Sequence, residues 1–317
     1  MSDSTSDLIG VGQSPAFLAL VARATEIARI PRPVLIRGER GTGKELLARY
    51  IHETAPGGTR PYVVVNCAAF QPDLFAASMF GHERGAFTGA TERRAGLLER
   101  ADGGTLFLDE IANMDRTIQE KLLRVIEYQS FERLGGSASI EVKVRVIAAT
   151  NASLEELMDD GHFLRDLYDR LAFSELRVPP LRKRREDVPL LVEHFLAALH
   201  EELPEVKPGS FSPEAIEQLE SYHWPGNVRQ LKNVVERLYL SDEDRVIQAD
   251  ELPGDVLAAS GPGKTFSEKV AAFERSLLRQ GLEQASGNQR KAAELLGMSY
   301  DQLRHAYRKH RLGEQDG

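Results

Sequence analysis

Residues 33–45 read PVLIRGERGTGKE, in which a short apolar strand runs directly into a glycine-rich turn, and the helical stretch LLARYIHE follows at 46–53. The turn has the pattern of a phosphate-binding loop (P-loop), in the strand–turn–helix context that such a loop requires. Its glycines let successive N–H groups point inward, the helix start adds positive potential, and Lys44 neutralises β- and γ-phosphates. The predicted nucleotide-binding residues of this loop are Gly38, Glu39, Gly41, Thr42, Gly43, Lys44 and Glu45.

The loop departs from the general pattern at Glu45, where a Ser or Thr would offer a hydroxyl to magnesium. A second motif outweighs this departure, because residues 104–110 read GTLFLDE, an apolar strand that ends in two carboxylates. Asp109 can hold Mg²⁺ through water, and Glu110 can orient or deprotonate an attacking water. An isolated pair of this kind could simply cap a helix, but downstream of a P-loop it favours ATP hydrolysis.

Two further predicted strands also end in amides. Tyr62–Val65 is followed by Asn66, and Val142–Ala149 is followed by Thr150 and Asn151. Parallel α/β sheets bind ligands at the carboxyl ends of their strands, so Asn66 and Asn151 are predicted near the γ-phosphate or its water. Either residue alone would indicate no more than a turn.

Between the two nucleotide motifs, residues 85–90 read GAFTGA. Bracketing glycines allow a sharp fold that carries an aromatic ring on a mobile tip, which is costly in water unless a partner receives the ring. In isolation the string is equally compatible with an ordinary turn. Its place between the nucleotide motifs predicts a loop that ATP hydrolysis moves.

The length of 317 residues predicts two or three compact units, and the balance of hydrophobic and charged residues predicts a soluble protein. A cytosolic location is expected because the N-terminus is polar and acidic and no apolar run is long enough to cross a bilayer. The single cysteine, Cys67, excludes an internal disulfide framework and is expected to be buried. Net charge is uneven: residues 264–312 hold ten Lys or Arg against five Asp or Glu, within a chain of net charge −8. The basic tail and the acidic remainder are therefore expected to meet different partners.

Helical signals dominate after residue 178. Ser212 and Asn227 are predicted helix N-caps, and Arg229 lies off the apolar stripe of the second helix, where it could reach a phosphate. In the tail, Phe266 to about Ala285 is predicted as an amphipathic helix, 288–296 as a short helix, and Ser299 as the start of a capping box that opens a third helix. This spacing fits a helix-turn-helix, although any three-helix bundle would share it. The predicted segments are a polar tail 1–7, an α/β ATPase subdomain 8–175, a helical lid 176–258, a linker 259–265 and a helix-turn-helix domain 266–312.

Taken together, GERGTGKE, GAFTGA, TLFLDE, ATN, VPPLRKRREDV and WPGNVRQLKNVVER resemble the AAA+ domain of bacterial enhancer-binding proteins, the ATP-driven activators of sigma-54 RNA polymerase. The resemblance implies a parallel-sheet P-loop fold with a helical lid, and Glu45 is the usual residue of that family. It also implies that Asn66 switches Glu110, that Asn151 and Arg229 are the two sensors, and that Arg170 is an arginine finger acting on a neighbouring subunit of a ring, expected to be a hexamer. The implied sigma-54 contacts are Gly85, Ala86, Phe87, Thr88, Gly89 and Ala90.

The chain departs from this family at two positions. The usual finger pattern is F-R-x-D-L, whereas this chain has Leu164 in place of that Arg and carries Arg165 one residue later. A displacement of one residue is about 100° around a helix, so Arg170 is the firmer finger candidate and Arg165 the weaker. The family also commonly has S-E-L-F-G before GAFTGA, and this chain has Ser78 in place of that Glu. Coupling between the nucleotide and the loop could therefore be altered.

The tail resembles the Fis-type helix-turn-helix of the same activators. The predicted DNA-binding residues on or near its third helix are Ser299, Tyr300, Gln302, Arg304, His305 and Arg308. Because the P-loop begins at Gly38, no receiver domain is expected before it. That arrangement is similar to activators of the phage-shock type, which a membrane-associated repressor of the phage-shock-protein A type restrains in trans.

Two alternatives stay open at the level of sequence. The same engine could serve an AAA+ remodeller or replication ATPase with a different client, although such proteins need no GAFTGA. The chain could also be a DNA-binding regulator with a degenerate ATPase, as Leu164 suggests.

Overall fold

A computed structural model of the 317-residue chain describes residues 10–68, 72–204, 209–239, 246–258, 274, 277–278, 281–282, 285 and 288–309. The chain divides into two compact units, one of residues 1–184 with 226–228, the other of residues 185–225 with 229–317. In the part of the chain that is described, no helix is both long and apolar enough to cross a membrane.

The strands of the first unit are β1 Val34–Arg37, β2 Tyr62–Asn66, β3 Thr105–Asp109, β4 Ser130–Glu132, β5 Ser139–Glu141, β6 Arg145–Thr150 and β7 Glu175–Arg177. Five of them form one sheet with the order β2-β3-β6-β1-β7. Every neighbouring pair in this sheet is parallel, which confirms the predicted parallel α/β fold. Parallel strands buried on both faces are typically continuous apolar runs, as TLFL and VIAA are here.

The helices of this unit are α1 Pro15–Ala28, α2 Lys44–Thr54, α3 Pro72–Phe80, α4 Leu97–Arg100, α5 Arg116–Tyr128, α6 Leu154–Asp159 and α7 Arg165–Leu171, with short 3₁₀ turns at Ile111–Asn113 and Leu181–Lys183. They cover both faces of the sheet, and the core has two layers. One core layer joins α1 and α2 to the sheet around Ile51, Phe107 and Ile147. The other joins α3 to α7 around Phe80 and Leu122.

Strand β6 begins later than the sequence predicts. The apolar run from Val142 suggested a strand from that residue, but pairing with β3 starts at Arg145. Gln129, in a left-handed conformation at the end of α5, accepts hydrogen bonds from two N–H groups that precede β6. Its carbonyl accepts from Val142 N–H at 2.8 Å, and its side-chain oxygen accepts from Val144 N–H at 3.1 Å. Val142 and Val144 are buried in the α3–α7 core layer all the same, so the apolar pattern reflects packing rather than sheet pairing.

The GAFTGA loop stands on a small junction of backbone bonds. His82 pairs with Arg94 and with Leu134, which lies in the turn between β4 and β5. Arg133 reinforces the junction by binding Glu83 at 2.8 Å and Glu99 at 2.5 Å, and its own side chain is buried. The base of the loop is therefore tied both to the start of α4 and to the β4–β5 turn.

The second unit is mainly helical. Its helices are α8 Val188–Glu202, α9 Pro213–Ser221, α10 Asn227–Tyr239 and α11 Gly254–Ala258, with 3₁₀ turns at Arg185–Asp187 and Ala249–Glu251. The first two residues of α10 are grouped with the first unit. Strands β8 Ser210–Phe211 and β9 Val246–Ile247 form a two-stranded sheet. Ser212 caps α9 through its hydroxyl, which accepts from Ala215 N–H at 3.1 Å, as predicted. Trp224 is fully buried and donates to Leu219 O at 2.7 Å.

The tail contains two short helices joined by a turn, α12 Gln289–Leu295 and α13 Tyr300–Lys309. Asn288 caps the first helix, and Ser299 with Gln302 forms the predicted capping box of the second, through bonds of 2.9 and 3.2 Å. Gly297, at φ 65°, makes the turn between them. Most of the predicted helix 266–285, its apolar stripe residues Val270 and Phe273, and the linker 259–265 lie outside the described residues.

Candidate functional site

The P-loop closes over its own lysine. Gly43 occupies the left-handed position at φ 93° that starts α2, a conformation that favours glycine. Lys44 is only 7% exposed, and its Nζ donates to the carbonyls of Gly38 at 2.9 Å and Glu39 at 3.3 Å. The Thr42 hydroxyl donates to the same Glu39 carbonyl at 2.8 Å. The loop therefore gathers one ammonium group and a helix N-terminus in the geometry that binds phosphates.

The two predicted carboxylates stand at the end of β3, next to the end of β6. Glu110 has a left-handed backbone, φ 54°, and its N–H donates to Asp109 Oδ1 at 3.0 Å. With the Asn151 amide oriented as its neighbours require, its nitrogen donates to Glu110 Oε2 at 2.6 Å and its oxygen accepts from Arg40 Nε at 3.2 Å. The structure thus brings together Glu110, Asn151 and Arg40, of which the sequence did not single out Arg40.

Asn66 also lies at this edge, because β2 pairs with β3 and sets Asn66 beside Asp109 in register. Its side-chain oxygen accepts from Ala68 N–H at 2.9 Å and forms a local turn. The Glu110 carboxylate instead accepts a hydrogen bond from Asn151. The predicted switching role of Asn66 stays a prediction.

The residues present suit a magnesium–nucleotide complex rather than a metal held by the protein alone. Among the described residues no group of three or more His, Cys, Asp or Glu side chains could hold a metal ion. Glu45 is exposed in the first turn of α2, and Asp109 is partly buried at the strand end. Asp109 would hold Mg²⁺ through water, and the ion would neutralise phosphate charge there.

Glu39 has partners that the sequence did not predict. Its carboxylate makes two bonds with the Arg182 guanidinium, of 2.6 and 2.7 Å, and accepts a third from Asn227 Nδ2 at 3.2 Å. Asn227 also donates to the Arg40 carbonyl at 3.0 Å, and its oxygen accepts from Leu181 N–H at 2.8 Å. The hydrogen bonds from Arg182 and then Asn227 lower the pKa of Glu39 to about 2, with desolvation opposing them. Glu39 is therefore held as a carboxylate by the protein itself.

The two finger candidates lie at opposite ends of α7. Arg170 is 59% exposed and pairs with Glu127 of α5, while Arg165 pairs with Asp159 at 3.5 Å and both of those side chains are exposed. Leu164, which replaces the usual arginine, packs against the α3–α7 core layer, and its N–H donates to Gln119 Oε1 at 2.8 Å. Position 164 therefore serves the core in this chain.

The GAFTGA loop is a closed turn. Gly85 N–H donates to Ala90 O at 2.8 Å, and Ala90 N–H donates to Phe87 O at 3.0 Å. The Phe87 ring is 42% exposed and stands edge-on to His82, with ring centroids 5.0 Å apart. Thr88 and Gly89 complete an exposed tip.

In the second unit, the tail presents α13 as a mostly exposed helix. The exposed residues of this helix include Tyr300, Gln302, Arg304 and His305, and Ser299 is exposed just before it. Arg308 is a residue of the same helix. Leu303 is fully buried against α12 and fixes the orientation of this helix. Arg290 stacks over Tyr300 at 5.5 Å. Arg229, the predicted second sensor, is exposed on α10.

Family models match three successive segments of the chain. Residues 10–177 match the "Sigma-54 interaction domain", residues 182–269 the "AAA+ ATPase lid domain", and residues 269–310 the "Bacterial regulatory protein, Fis family". The first match spans more than half of the chain. The chain belongs to the sigma-54-dependent transcriptional activators.

Relatives in this family align along almost the whole chain. The "Psp operon transcriptional activator" of Escherichia coli (strain K12) is 42% identical over 95% of this chain and 98% of its own length. The "Response regulator protein PilR" of Pseudomonas aeruginosa is also 42% identical, over 96% of this chain and 69% of its own. A crystal structure of NtrX from Brucella abortus in complex with ATP is 37% identical, with a TM-score of 0.71 over 95% of this chain and 68% of NtrX.

Membership in the sigma-54 activator family confirms three predictions from the sequence: the AAA+ α/β fold with a helical lid, the Fis-type helix-turn-helix and the ATPase class of the enzyme. The relatives carry several regulatory names, so the family alone leaves the target genes open.

Proposed function

We propose that the chain activates transcription from sigma-54 promoters by binding enhancer DNA and using ATP hydrolysis to remodel the closed RNA polymerase complex. The observation that carries this proposal is the closed GAFTGA turn, which offers Phe87 and Thr88 at an exposed tip in the same compact unit as the P-loop. An exposed aromatic ring at the tip of a glycine-bounded loop offers a partner apolar surface to bury.

The proposed nucleotide roles combine the geometry around the P-loop with the family resemblance. Lys44 and the start of α2 would bind the β- and γ-phosphates, and Asp109 would hold Mg²⁺ through water. When bound, the ion would neutralise phosphate charge. Glu110 would orient the attacking water, with Asn151 holding its carboxylate. Arg229 would act as the second sensor and Asn66 as the switch of Glu110.

Hydrolysis would be completed by a neighbouring copy of the chain in a hexameric ring. The exposed guanidinium of Arg170 supports this, because a finger that acts in trans must be accessible on the surface of its own subunit. Arg165 would be a weaker contributor, since it lies one position, or about 100° around a helix, from the usual finger site.

DNA binding would come from the tail. Tyr300, Arg304, His305 and Arg308 would meet bases and phosphates, while Ser299 and Gln302 would fix the start of the reading helix and contact the backbone. Tethering at an enhancer raises the local concentration of subunits near the promoter.

Target genes of the phage-shock type are the ones we favour, because the Escherichia coli Psp operon activator aligns with this chain over nearly the whole of both proteins. In this reading the protein acts in the cytoplasm and is restrained in trans by a repressor of the phage-shock-protein A type.

The test is open-complex formation by purified sigma-54 polymerase on a promoter, with ATP and the full chain. Wild type should form open complexes, and Thr88→Ala should hydrolyse ATP within about twofold of wild type without forming them. A Thr88→Ala protein that still opens the promoter would remove the loop from the mechanism.

Two controls separate this function from the alternatives. Binding of the wild-type protein to sigma-54 in the presence of ADP and a metal fluoride, compared with other protein or DNA clients, distinguishes an activator from a general remodeller. ATP turnover that Arg170→Ala abolishes rules out a degenerate ATPase.

A further inference from the structure

The P-loop carboxylate Glu39 joins two segments that are far apart in sequence. Arg182 follows the Val178-Pro-Pro run by a few residues, and Asn227 lies in the Trp-Pro-Gly-Asn turn, 45 residues later. Both bind Glu39: Arg182 through two short bonds and Asn227 through one. These three residues form the Glu39 clamp.

Asn227 is the buried centre of the clamp. Its side chain is fully buried and its backbone is left-handed, at φ 52°. It accepts from Leu181 N–H and donates to Glu39 and to the Arg40 carbonyl. A residue without both an acceptor and a donor would leave buried polar groups without partners, so the position needs an amide.

The clamp is linked to the hydrolytic carboxylate by hydrogen bonds. Asn227 holds the carbonyl of Arg40 at 3.0 Å, the Arg40 side chain donates to Asn151, and Asn151 donates to Glu110. Asn151 is thus a hydrogen-bond partner of both the Arg40 guanidinium and the Glu110 carboxylate at the end of β3. A shift of the P-loop backbone at Arg40 would therefore move the partner of Glu110.

The clamp also lies where the chain leaves and re-enters the first unit. That unit comprises residues up to Arg184 and then 226–228, so Arg182 stands two residues before the first passage and Asn227 lies within the second segment. The Glu39 carboxylate of the P-loop thus binds one residue near the point where the chain leaves the first unit and another where it returns.

We infer that Glu39, Arg182 and Asn227 are positioning residues for ATP hydrolysis, which hold the P-loop at Arg40 so that Arg40 and Asn151 keep Glu110 in its hydrolytic rotamer. The inference rests on the proposed ATPase mechanism. It assigns Glu39 to the support of catalysis, whereas the sequence had placed this residue among the nucleotide-binding set.

Steady-state ATPase kinetics of the full chain test this assignment through the split between kcat and KM. Glu39→Gln, Arg182→Gln and Asn227→Ala should each lower kcat by about tenfold or more, since small displacements of a catalytic group have large effects on rate. KM for ATP and the Kd for ADP should stay within about twofold of wild type. The charge swap that combines Glu39→Arg with Arg182→Glu should recover part of the lost kcat.

The matched control is Arg177→Gln. Arg177 pairs with Glu175 at 2.6 Å in the same unit, but the pair lies outside the clamp. This variant should keep the kcat of wild type. Equal losses of kcat in the control and the clamp variants would overturn the inference.

Hydrogen exchange of the Leu181 amide gives a readout that does not depend on activity. Asn227→Ala should speed this exchange selectively, while amides within β3 keep their protection. Unchanged kcat with raised KM in the clamp variants would return Glu39 to the nucleotide-binding set and overturn the inference, as would unchanged exchange at Leu181.

Failure of the inference and failure of the proposed function give different results. A wild-type protein that hydrolyses ATP without opening a sigma-54 promoter would contradict the proposed function and leave the kinetic test of the clamp intact. A wild-type protein without ATP turnover would contradict both the function and the clamp.

Discussion

Arg170 of α7 donates through Nε to Glu127 of α5, over 2.9 Å. If Arg170 completes the active site of a neighbouring subunit, this internal bond must break before the guanidinium can reach the triphosphate. The cost is small, because the pair is largely exposed, and exposed pairs contribute about 0.2–1 kcal/mol.

Replacing the two partners should therefore have opposite effects. Arg170→Ala should lower ATP turnover by about 10³-fold, the loss typical of a missing arginine finger. Glu127→Gln should shift half-maximal turnover to a lower protein concentration, by up to about fivefold, because it frees the finger. Turnover measured against protein concentration checks both, with Glu120→Gln as the control on the same helix, where Glu120 pairs with Arg116 at 3.7 Å. A Glu127→Gln curve that coincides with wild type would show that the bond does not oppose assembly.

The edge-on contact between His82 and Phe87 predicts how the tip is held when no client is present. Aromatic pairs of this geometry contribute about 0.5–1.5 kcal/mol. His82→Ala should release the Phe87 ring and raise sigma-54 affinity of the ADP–metal fluoride state by about threefold to tenfold, whereas His82→Phe should keep the contact and the affinity of wild type. Fluorescence anisotropy of labelled sigma-54 measures the difference, and equal affinity of the two variants would refute it.

Cys67 should react only when the protein unfolds. Burial raises the pKa of its thiol to about 12, and the nearby Asp109 and Glu110 carboxylates add to the effect. Because the protonated thiol is favoured in the folded state, its contribution to stability is complete below the unfolded pKa near 9 and is lost as pH rises toward 12. At pH 8, maleimide labelling followed by mass spectrometry should be slow in the native protein and fast in denaturant. Since the chain has one cysteine, the label reports this position alone. Rapid native labelling would contradict the buried placement.

The exposed Arg304 should contribute a phosphate or base contact. Arg304→Ala should weaken enhancer binding, and if the contact is to a phosphate, the slope of log K against log salt should fall by about one. Glu294→Gln, also exposed in the tail, is the control and should not weaken binding. A salt titration of binding to a DNA fragment decides between a phosphate contact, a base contact and no contact, and the last result would contradict the prediction.

The parts of the site that the sequence predicted are those encoded in contiguous residues. The P-loop, the strand ending at Asp109 and the capping box at Ser299 each depend on neighbours within a few positions, so local pattern was sufficient. The roles of the individual site residues stay predictions, but their gathering at one edge of the sheet follows from the parallel pairing of β2, β3 and β6.

Long-range partners could not be predicted in the same way. Glu39 and Asn227 are separated by 188 positions, and nothing in either local pattern indicates that the asparagine at the start of α10 contacts a P-loop carboxylate. The late start of β6 has the same origin, since the Gln129 side chain takes the amide of Val144 from a distance of 15 residues. Apolar periodicity reports burial, and it does not distinguish a strand from an extended segment that packs beside one.

The junction beneath the GAFTGA loop limits how force can be delivered. Backbone hydrogen bonds join His82 to Arg94 and join Gly81 and Glu83 to Leu134, and Arg133 ties Glu83 to Glu99, so the base of the loop is held on two sides. In the proposed mechanism, any movement of the tip would carry the β4–β5 turn with it. A displacement that starts at the triphosphate would thus reach the client through a base held at two points, and little of it would be lost in bending the loop.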